Sequence, residues 1–204
     1  MSAVSADRVL AALDAAFASS EGMAYLGEDI TMIEHQLQAG ALAAASGAAD
    51  ALVVASLLHD VGHMVGKRVG ERNAADALAA DTDAHHDASG ARWLAQWFGP
   101  EVTEPVRLHV AAKRYLVATE TDYAERLSTA SLHTLRLQGG PMSAEEIAAF
   151  EADPHSAAAV ALRRFDEAAK DASVAAPPLA TYCERIRSVL SGGSRRRSGV
   201  SSPR

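Results

Sequence analysis

An apolar run ends in His59-Asp60 within ASLLHDVGHMVG, residues 55–66, and His63 follows three residues after Asp60. Burying an imidazole and a carboxylate at the end of so apolar a segment is costly without partners. A metal supplies partners for both. The histidine gives one nitrogen, and the two oxygens of the carboxylate can bridge two cations. The plainer reading is that Asp60 caps the next turn. The choice depends on which other polar residues lie on apolar helix faces.

The chain has eight histidines. His35 lies in EDITMIEHQLQAGALA, where Ile30, Ile33, Leu37 and Leu42 mark much of an apolar face. Three residues after Met32 and four before Ala39, it edges into that face. His86 opens HDASGARWLAQWF, directly after His85. His86 is preferred as the inward residue, because Ala91, Leu94 and Phe98 continue a face from it and Gly90 leaves room beside it. The long charged stretch KRVGERNAADALAADTDAH ahead of it keeps His85 in play. His109 lies between Leu108 and Val110, with Val106 three residues before, on a helix that carries Lys113 one turn later. Asp166 sits in AVALRRFDEAAK among Ala, Leu and Phe; a solvated helical acid is its plainer reading. His85, His133 and His155 read as surface residues. His35, His59, Asp60, His86, His109 and Asp166 together form a metal-ligand inventory. Such ligands without thiolate suit iron, manganese or zinc rather than copper(I). Six ligands exceed what one open catalytic metal needs, so two metals sharing Asp60 is the economical arrangement.

The elements that must carry these residues are helical. Ala and Leu abound and alternating β-branched runs are scarce, which favours an all-α bundle. Helices are predicted at about 6–18, 28–46, 48–60, 72–80, 86–98, 101–117, 121–137, 143–151, 155–172 and 178–190. Ser143 and Glu146 form a capping box. Asp153-Pro154 places a cap residue before a proline at the first helical position. Helical bundles build metal sites from side chains on facing helices.

At 204 residues the chain suits one domain, 1–190, followed by a flexible Ser/Arg-rich tail, 191–204. The formal charge is −7 with the four tail arginines included, so the body is more acidic still, which argues against nucleic acid as main partner. Cys183 is the only cysteine, excluding an internal disulfide and thiolate clusters. No run is long and apolar enough for a membrane span, and the N-terminus does not read as a signal peptide, so a cytoplasmic protein is expected. No GxGxxG or GxxxxGK[ST] occurs.

The pattern H…HD…H…H…D resembles the HD-domain superfamily, with the extra histidines typical of its dinuclear members. YLGED at 25–29, IEHQLQAG at 33–40, SLLHDVGH at 56–63, HDASGARWL at 86–94, LHVAAKRYL at 108–116, LSTASLHTLRLQGG at 127–140 and RRFDEAAK at 163–170 extend the likeness. Together they resemble the PhnZ-like mixed-valence di-iron oxygenases, relatives of myo-inositol oxygenase. These cleave the carbon–phosphorus bond of 1-hydroxyphosphonates with dioxygen and an Fe(II)/Fe(III) pair. The resemblance implies that one iron takes His35, His59 and Asp166, the other His86 and His109, and that Asp60 bridges. It implies that Tyr25 caps the second iron, that Glu28 binds a substrate ammonium and that His63 bonds to substrate. Lys113, Ser131, Thr134 and Arg163, with Gln138 a further candidate, would hold the phosphonate. Each has a plainer reading: Tyr25 as a packed aromatic, Glu28 as a helix-dipole partner, Lys113 as a solvated charge.

The implied function is oxidative cleavage of a 1-hydroxy-2-aminoethylphosphonate-type substrate, giving phosphate and glycine or an N-methylated glycine. The chain has only ten aromatic residues, which leans away from a caged quaternary ammonium. The main alternative is an HD phosphohydrolase acting on a nucleotide or phosphomonoester. It would use His35, His59, Asp60 and Asp166 around one divalent metal and would leave Tyr25, His86 and His109 without roles. A third reading is a regulatory module without catalysis.

Overall fold

Eleven α-helices, one short 3-10 turn and a single isolated bridge between Ala24 and Thr31 make up the regular structure among the described residues. The computed structural model describes residues 5–20, 22–25, 28–65 and 85–198. The helices are α1 (Ala6–Ala18), α2 (Met32–Ala45), α3 (Asp50–Leu58), α4 (Val61–Val65), α5 (His86–Leu94) and α6 (Pro100–Thr119). After them come α7 (Tyr123–Arg126), α8 (Thr129–Leu137), α9 (Ala144–Glu151), α10 (Ser156–Ala168), the 3-10 turn (Leu179–Tyr182) and α11 (Cys183–Ser198). The expected helix at 72–80 lies outside the described residues. No helix among them is long and apolar enough to cross a membrane.

Several expected boundaries move, each for a local reason. The second helix starts at Met32 rather than 28, because Thr31 and Glu34 form a reciprocal capping box. Ahead of it, Met32 N–H donates to Met23 O at 2.8 Å and Tyr25 N–H to Ile30 O at 3.0 Å. The chain therefore folds back on itself and brings Tyr25 and Glu28 beside α2. The expected helix at 48–60 stops at Leu58, and His59-Asp60 form a turn before α4. The predicted helix at 121–137 is two helices, because the Ser128 hydroxyl caps α8 by accepting from Ser131 N–H. Pro154 does not open α10. Asp153 Oδ1 accepts from His155 N–H, a local turn that delays the helix to Ser156. The last helix runs eight residues past the expected end at 190.

The long helix α6 is the axis, packed against α3, α5 and α10, while α2 spans α3 and α10. Leu13, Leu57, Leu58, Leu94, Val102, Val106 and Leu162 are fully buried at their meeting point. Gly62 of α4 and Gly90 of α5 let those helices touch: a Cβ on Gly62 would lie 2.0 Å from the His86 carbonyl oxygen. That close approach seats the first turn of α5, and with it His86.

Candidate metal centre

Five segments of the bundle deliver six titratable side chains to one buried place. α2 gives His35, the turn after α3 gives His59 and Asp60, α5 gives His86, α6 gives His109 and α10 gives Asp166. All are buried except His86, which is half-buried.

Backbone carbonyls orient three of the rings. His35 Nδ1 lies 2.7 Å from Ala169 O, His59 Nδ1 2.8 Å from Ser56 O and His109 Nδ1 2.6 Å from Val106 O. A carbonyl only accepts, so each Nδ1 carries the proton and a neutral ring leaves Nε2 as a bare lone pair. The Nε2 atoms come together in pairs. His35 Nε2 and His59 Nε2 are 3.1 Å apart, and His86 Nε2 and His109 Nε2 are 3.0 Å apart. Ring nitrogens at that distance share a proton or a metal ion between them.

The carboxylates supply the opposite charge. Asp60 Oδ2 is 3.7 Å from His35 Nε2 and 3.6 Å from His59 Nε2, while its Oδ1 is 3.3 Å from His86 Nε2 and 3.6 Å from His109 Nε2. One oxygen faces each pair. Asp166 Oδ1 lies 3.3 Å from His35 Nε2 and 3.6 Å from His59 Nε2, buried and without a hydrogen-bond partner. Its other oxygen, Oδ2, accepts from Arg163 Nη1. A buried carboxylate oxygen without a hydrogen bond, aimed at two imidazole nitrogens, fits a metal ion.

The charge balance agrees. Burial works against ionisation of Asp60 and Asp166, but the histidines around Asp60, and Arg163 beside Asp166, hold both well below the usual carboxylate range. Burial also opposes a charge on His59, yet Asp60 and Asp166 outweigh it and raise its pKa to about 9. Burial, then the charge of His86, lowers His109 to about 3. The centre therefore favours a cation.

His63 stays nearer this centre than its expected role away from the metals implies. Its ring stacks on His86 with centroids 4.0 Å apart and planes 19° apart, and its donor atom groups with those of Asp60 and His86. Lone pairs lie in the ring plane, so near-parallel rings do not converge on one ion. The His86 and His109 planes cross at 56° and do converge. Of the two candidates at the start of α5, His85 is exposed and left-handed at φ 47°, and His86 faces the cluster. His133 and His155, expected at the surface, are half-buried.

Tyr25 is half-buried and stacks on His35, centroids 4.0 Å apart. Burial, then the Asp166 and Asp60 carboxylates, pushes its hydroxyl well above the ordinary pKa.

A cationic pocket adjoins the carboxylate side. Lys113 is buried and donates to Thr134 Oγ1 at 2.9 Å. Burial, then the nearby Arg163 guanidinium, lowers its pKa to about 7. Thr134 donates in turn to Ser131 O. Arg163 donates through Nε to Tyr123 OH at 3.1 Å and through Nη2 to Glu167 Oε2. Gln138 Oε1 and Glu28 Oε1 are buried and make no hydrogen bond.

Lys170 is the residue that sequence reasoning missed. Its Nζ donates to Ser131 Oγ at 3.0 Å and to Glu167 Oε1 at 3.1 Å, and lies 3.7 Å from Glu28 Oε1. The cue was present in the sequence: Lys170 stands seven residues after Arg163 and four after Asp166, a helical spacing, although α10 ends at Ala168.

Known proteins bear on this arrangement. A family model described as HD domain matches residues 21–158. A [1-hydroxy-2-(trimethylamino)ethyl]phosphonate dioxygenase (glycine-betaine-forming) of Leisingera caerulea is 43% identical over 153 residues, 75% of this chain and 76% of that protein. A hydroxymethylphosphonate dioxygenase of Gimesia maris is 41% identical over 169 residues, 83% of this chain and 82% of that one. An uncharacterized protein of Acanthamoeba polyphaga mimivirus is 33% identical over 162 residues, 79% and 72% of the two chains.

Proposed function

The chain belongs to the HD-domain family, and from that premise we propose that it is a metal-dependent oxygenase that cleaves the carbon–phosphorus bond of a 1-hydroxyphosphonate with dioxygen. The observation that carries this is the Asp60 carboxylate, with one oxygen toward each of two histidine pairs, beside a pocket of lysines, an arginine and hydroxyls. Relatives named as phosphonate dioxygenases over three quarters or more of the chain support the same chemistry and speak against a phosphohydrolase. One hydroxyphosphonate and one O2 give one carboxylate and one phosphate, with both oxygen atoms retained in the products.

His35, His59 and Asp166 would hold one metal and His86 and His109 the other, with Asp60 shared. We propose iron in the mixed-valence Fe(II)/Fe(III) state. When bound, the pair supplies one-electron chemistry with dioxygen and acidifies a substrate hydroxyl.

The chain's own residues bind and orient. A phosphonate dianion takes charge-assisted hydrogen bonds from Lys113, Lys170 and Arg163, and Ser131 and Thr134 present hydroxyls beside them. Gln138 offers a further polar contact. Glu28 places a buried acceptor at the edge of the same pocket. Its negative charge suits a substrate ammonium, so the proposed substrate is of the 1-hydroxy-2-aminoethylphosphonate type and the organic product glycine or an N-methylated glycine. Tyr25, stacked on His35, covers the metals from the Glu28 side. His63, stacked on His86, faces the substrate hydroxyl. Burial of Lys113, Ser131 and Arg163, with most of the metal-binding set, limits water and strengthens these contacts.

The test is anaerobic loading with Fe(II), limited oxidation and low-temperature electron paramagnetic resonance with and without 2-amino-1-hydroxyethylphosphonate. A mixed-valence signal that shifts with substrate, followed by phosphate release that consumes oxygen, is expected. Oxygen-independent phosphate release from esters with a silent spectrum would return the chain to the phosphohydrolase reading.

A further inference from the structure

Glu167 has no part in the chemistry described so far, yet it touches two of the three cations in the pocket. It follows Asp166 on α10, and its side chain is only 15% exposed. Oε2 accepts from Arg163 Nη2, four residues back, and Oε1 accepts from Lys170 Nζ, three residues on, at 3.1 Å. Both cations have other anchors: Tyr123 OH and Asp166 for Arg163, Ser131 Oγ for Lys170. Glu167 is the carboxylate that joins them.

That position has two consequences. Glu167 ties Arg163 on α10 to Lys170, two residues past the end of that helix, and so sets the spacing of the two cations around a tetrahedral oxyanion. Glu167 is also an anion in a poorly solvated place, so it competes with that oxyanion for the same donors. A phosphonate substrate and a phosphate product share shape and charge. Without Glu167 the cations would be balanced only by Asp166 and Glu28 and would grip both more tightly, and tight uniform binding of that kind does not speed turnover.

We infer that Glu167 is a positioning residue that sets the pocket's oxyanion affinity, holding Arg163 and Lys170 in register while weakening their grip enough for phosphate to leave. The inference rests on the phosphonate-oxygenase reading of the pocket.

Glu167→Gln keeps the shape and an acceptor but removes the charge. Inorganic phosphate, titrated calorimetrically into the iron-loaded full chain, should bind this variant on the order of tenfold more tightly. In steady state KM and kcat should both fall, and phosphate should become the stronger product inhibitor. A purely structural role would instead raise KM or lower the melting temperature. Glu145→Gln, an exposed acid on α9, is the control for overall charge and should leave phosphate affinity unchanged. Glu167→Asp keeps the charge and shortens the reach, so KM should rise without tighter phosphate binding. It carries the test should Glu167→Gln fail to fold. Phosphate binding that is unchanged or weaker in a folded Glu167→Gln overturns the inference and leaves the pocket reading intact. A wild-type protein that binds neither phosphate nor a hydroxyphosphonate overturns both.

Discussion

Asp60 concentrates the chemistry of this site in one residue, because each of its oxygens serves a different histidine pair. Asp60→Asn keeps the volume but replaces one oxygen with an N–H2 donor, which repels a cation and points at lone pairs. If both sites bind metal, the metal content of the folded variant should fall from two ions per chain toward none. Retention of one full equivalent would mean that the carboxylate does not bridge. Lys113 gives a pH signature. Burial, then Arg163, brings it from the ordinary lysine range to about 7. It is charged below that pH and neutral above it, so the phosphonate loses a cation as the pH rises. The value of kcat/KM should decline through about pH 7 to 8. Lys113→Arg stays charged and should remove that decline, whereas a limb that persists in the arginine variant belongs to another group. The histidines and Asp60 were legible in sequence because such residues on an apolar helical face are conspicuous, whereas Lys113 and Asp166 were legible only through the family pattern. Lys170 and Glu167 were not, because Lys and Glu near a helix end look like ordinary solvated charges until the partner helix is in place.

At the scale of elements, what positions the second histidine pair is a contact between backbones. A Cβ at position 62 would meet His86 O at 2.0 Å and Ser89 Oγ at 2.8 Å, and backbone does not yield as a flexible side chain does. Gly62→Ala should therefore push the first turn of α5 away and move His86 Nε2 off the line to His109. The expected cost is about 1–3 kcal/mol of stability from overpacking. Affinity for the metal at His86 and His109 should fall roughly 10–100-fold, as when the support of a ligand is lost. The metal at His35, His59 and Asp166 should remain. Titration of the apoprotein followed by spectroscopy separates the two sites; equal loss at both would show that the contact supports the whole bundle. The faces of α2, α6 and α10 could be read from 3.6-residue periodicity. Their interruptions could not, because the apolar pattern runs on where local hydrogen bonds end the helix. Thr31 with Glu34, Ser128 with Ser131 N–H and Asp153 with His155 N–H each win over periodicity for a few residues. The first of these interruptions matters most, since the fold-back before Thr31 carries Tyr25 and Glu28 to the site.

For the whole molecule, the metal centre ties together parts of the chain that have no local reason to meet. His35 bonds to the carbonyl of Ala169, 134 residues away, and α2, the turn after α3, α5, α6 and α10 all contribute to the same cluster. That convergence is the part of the site sequence could not give, since spacing shows which face a residue shares and not which face it will meet. It also makes metal binding a term in folding. Without a metal the native state buries two carboxylates among four imidazoles, whereas the unfolded chain hydrates them. Metal at about a thousand times its Kd stabilises the native state by roughly 4 kcal/mol per site. In a domain of this size each kcal/mol is worth about 2–4 °C of melting temperature. Stripping one site should therefore lower Tm by roughly 8–16 °C, and stripping both by more. Calorimetric melts of iron-loaded and chelator-treated protein, with iron restored to the second sample, measure this directly. Recovery on re-addition would show that the five segments are held by the ions as well as by the apolar core. A Tm that ignores the chelator would mean that the core alone closes the bundle and that the cluster is preformed.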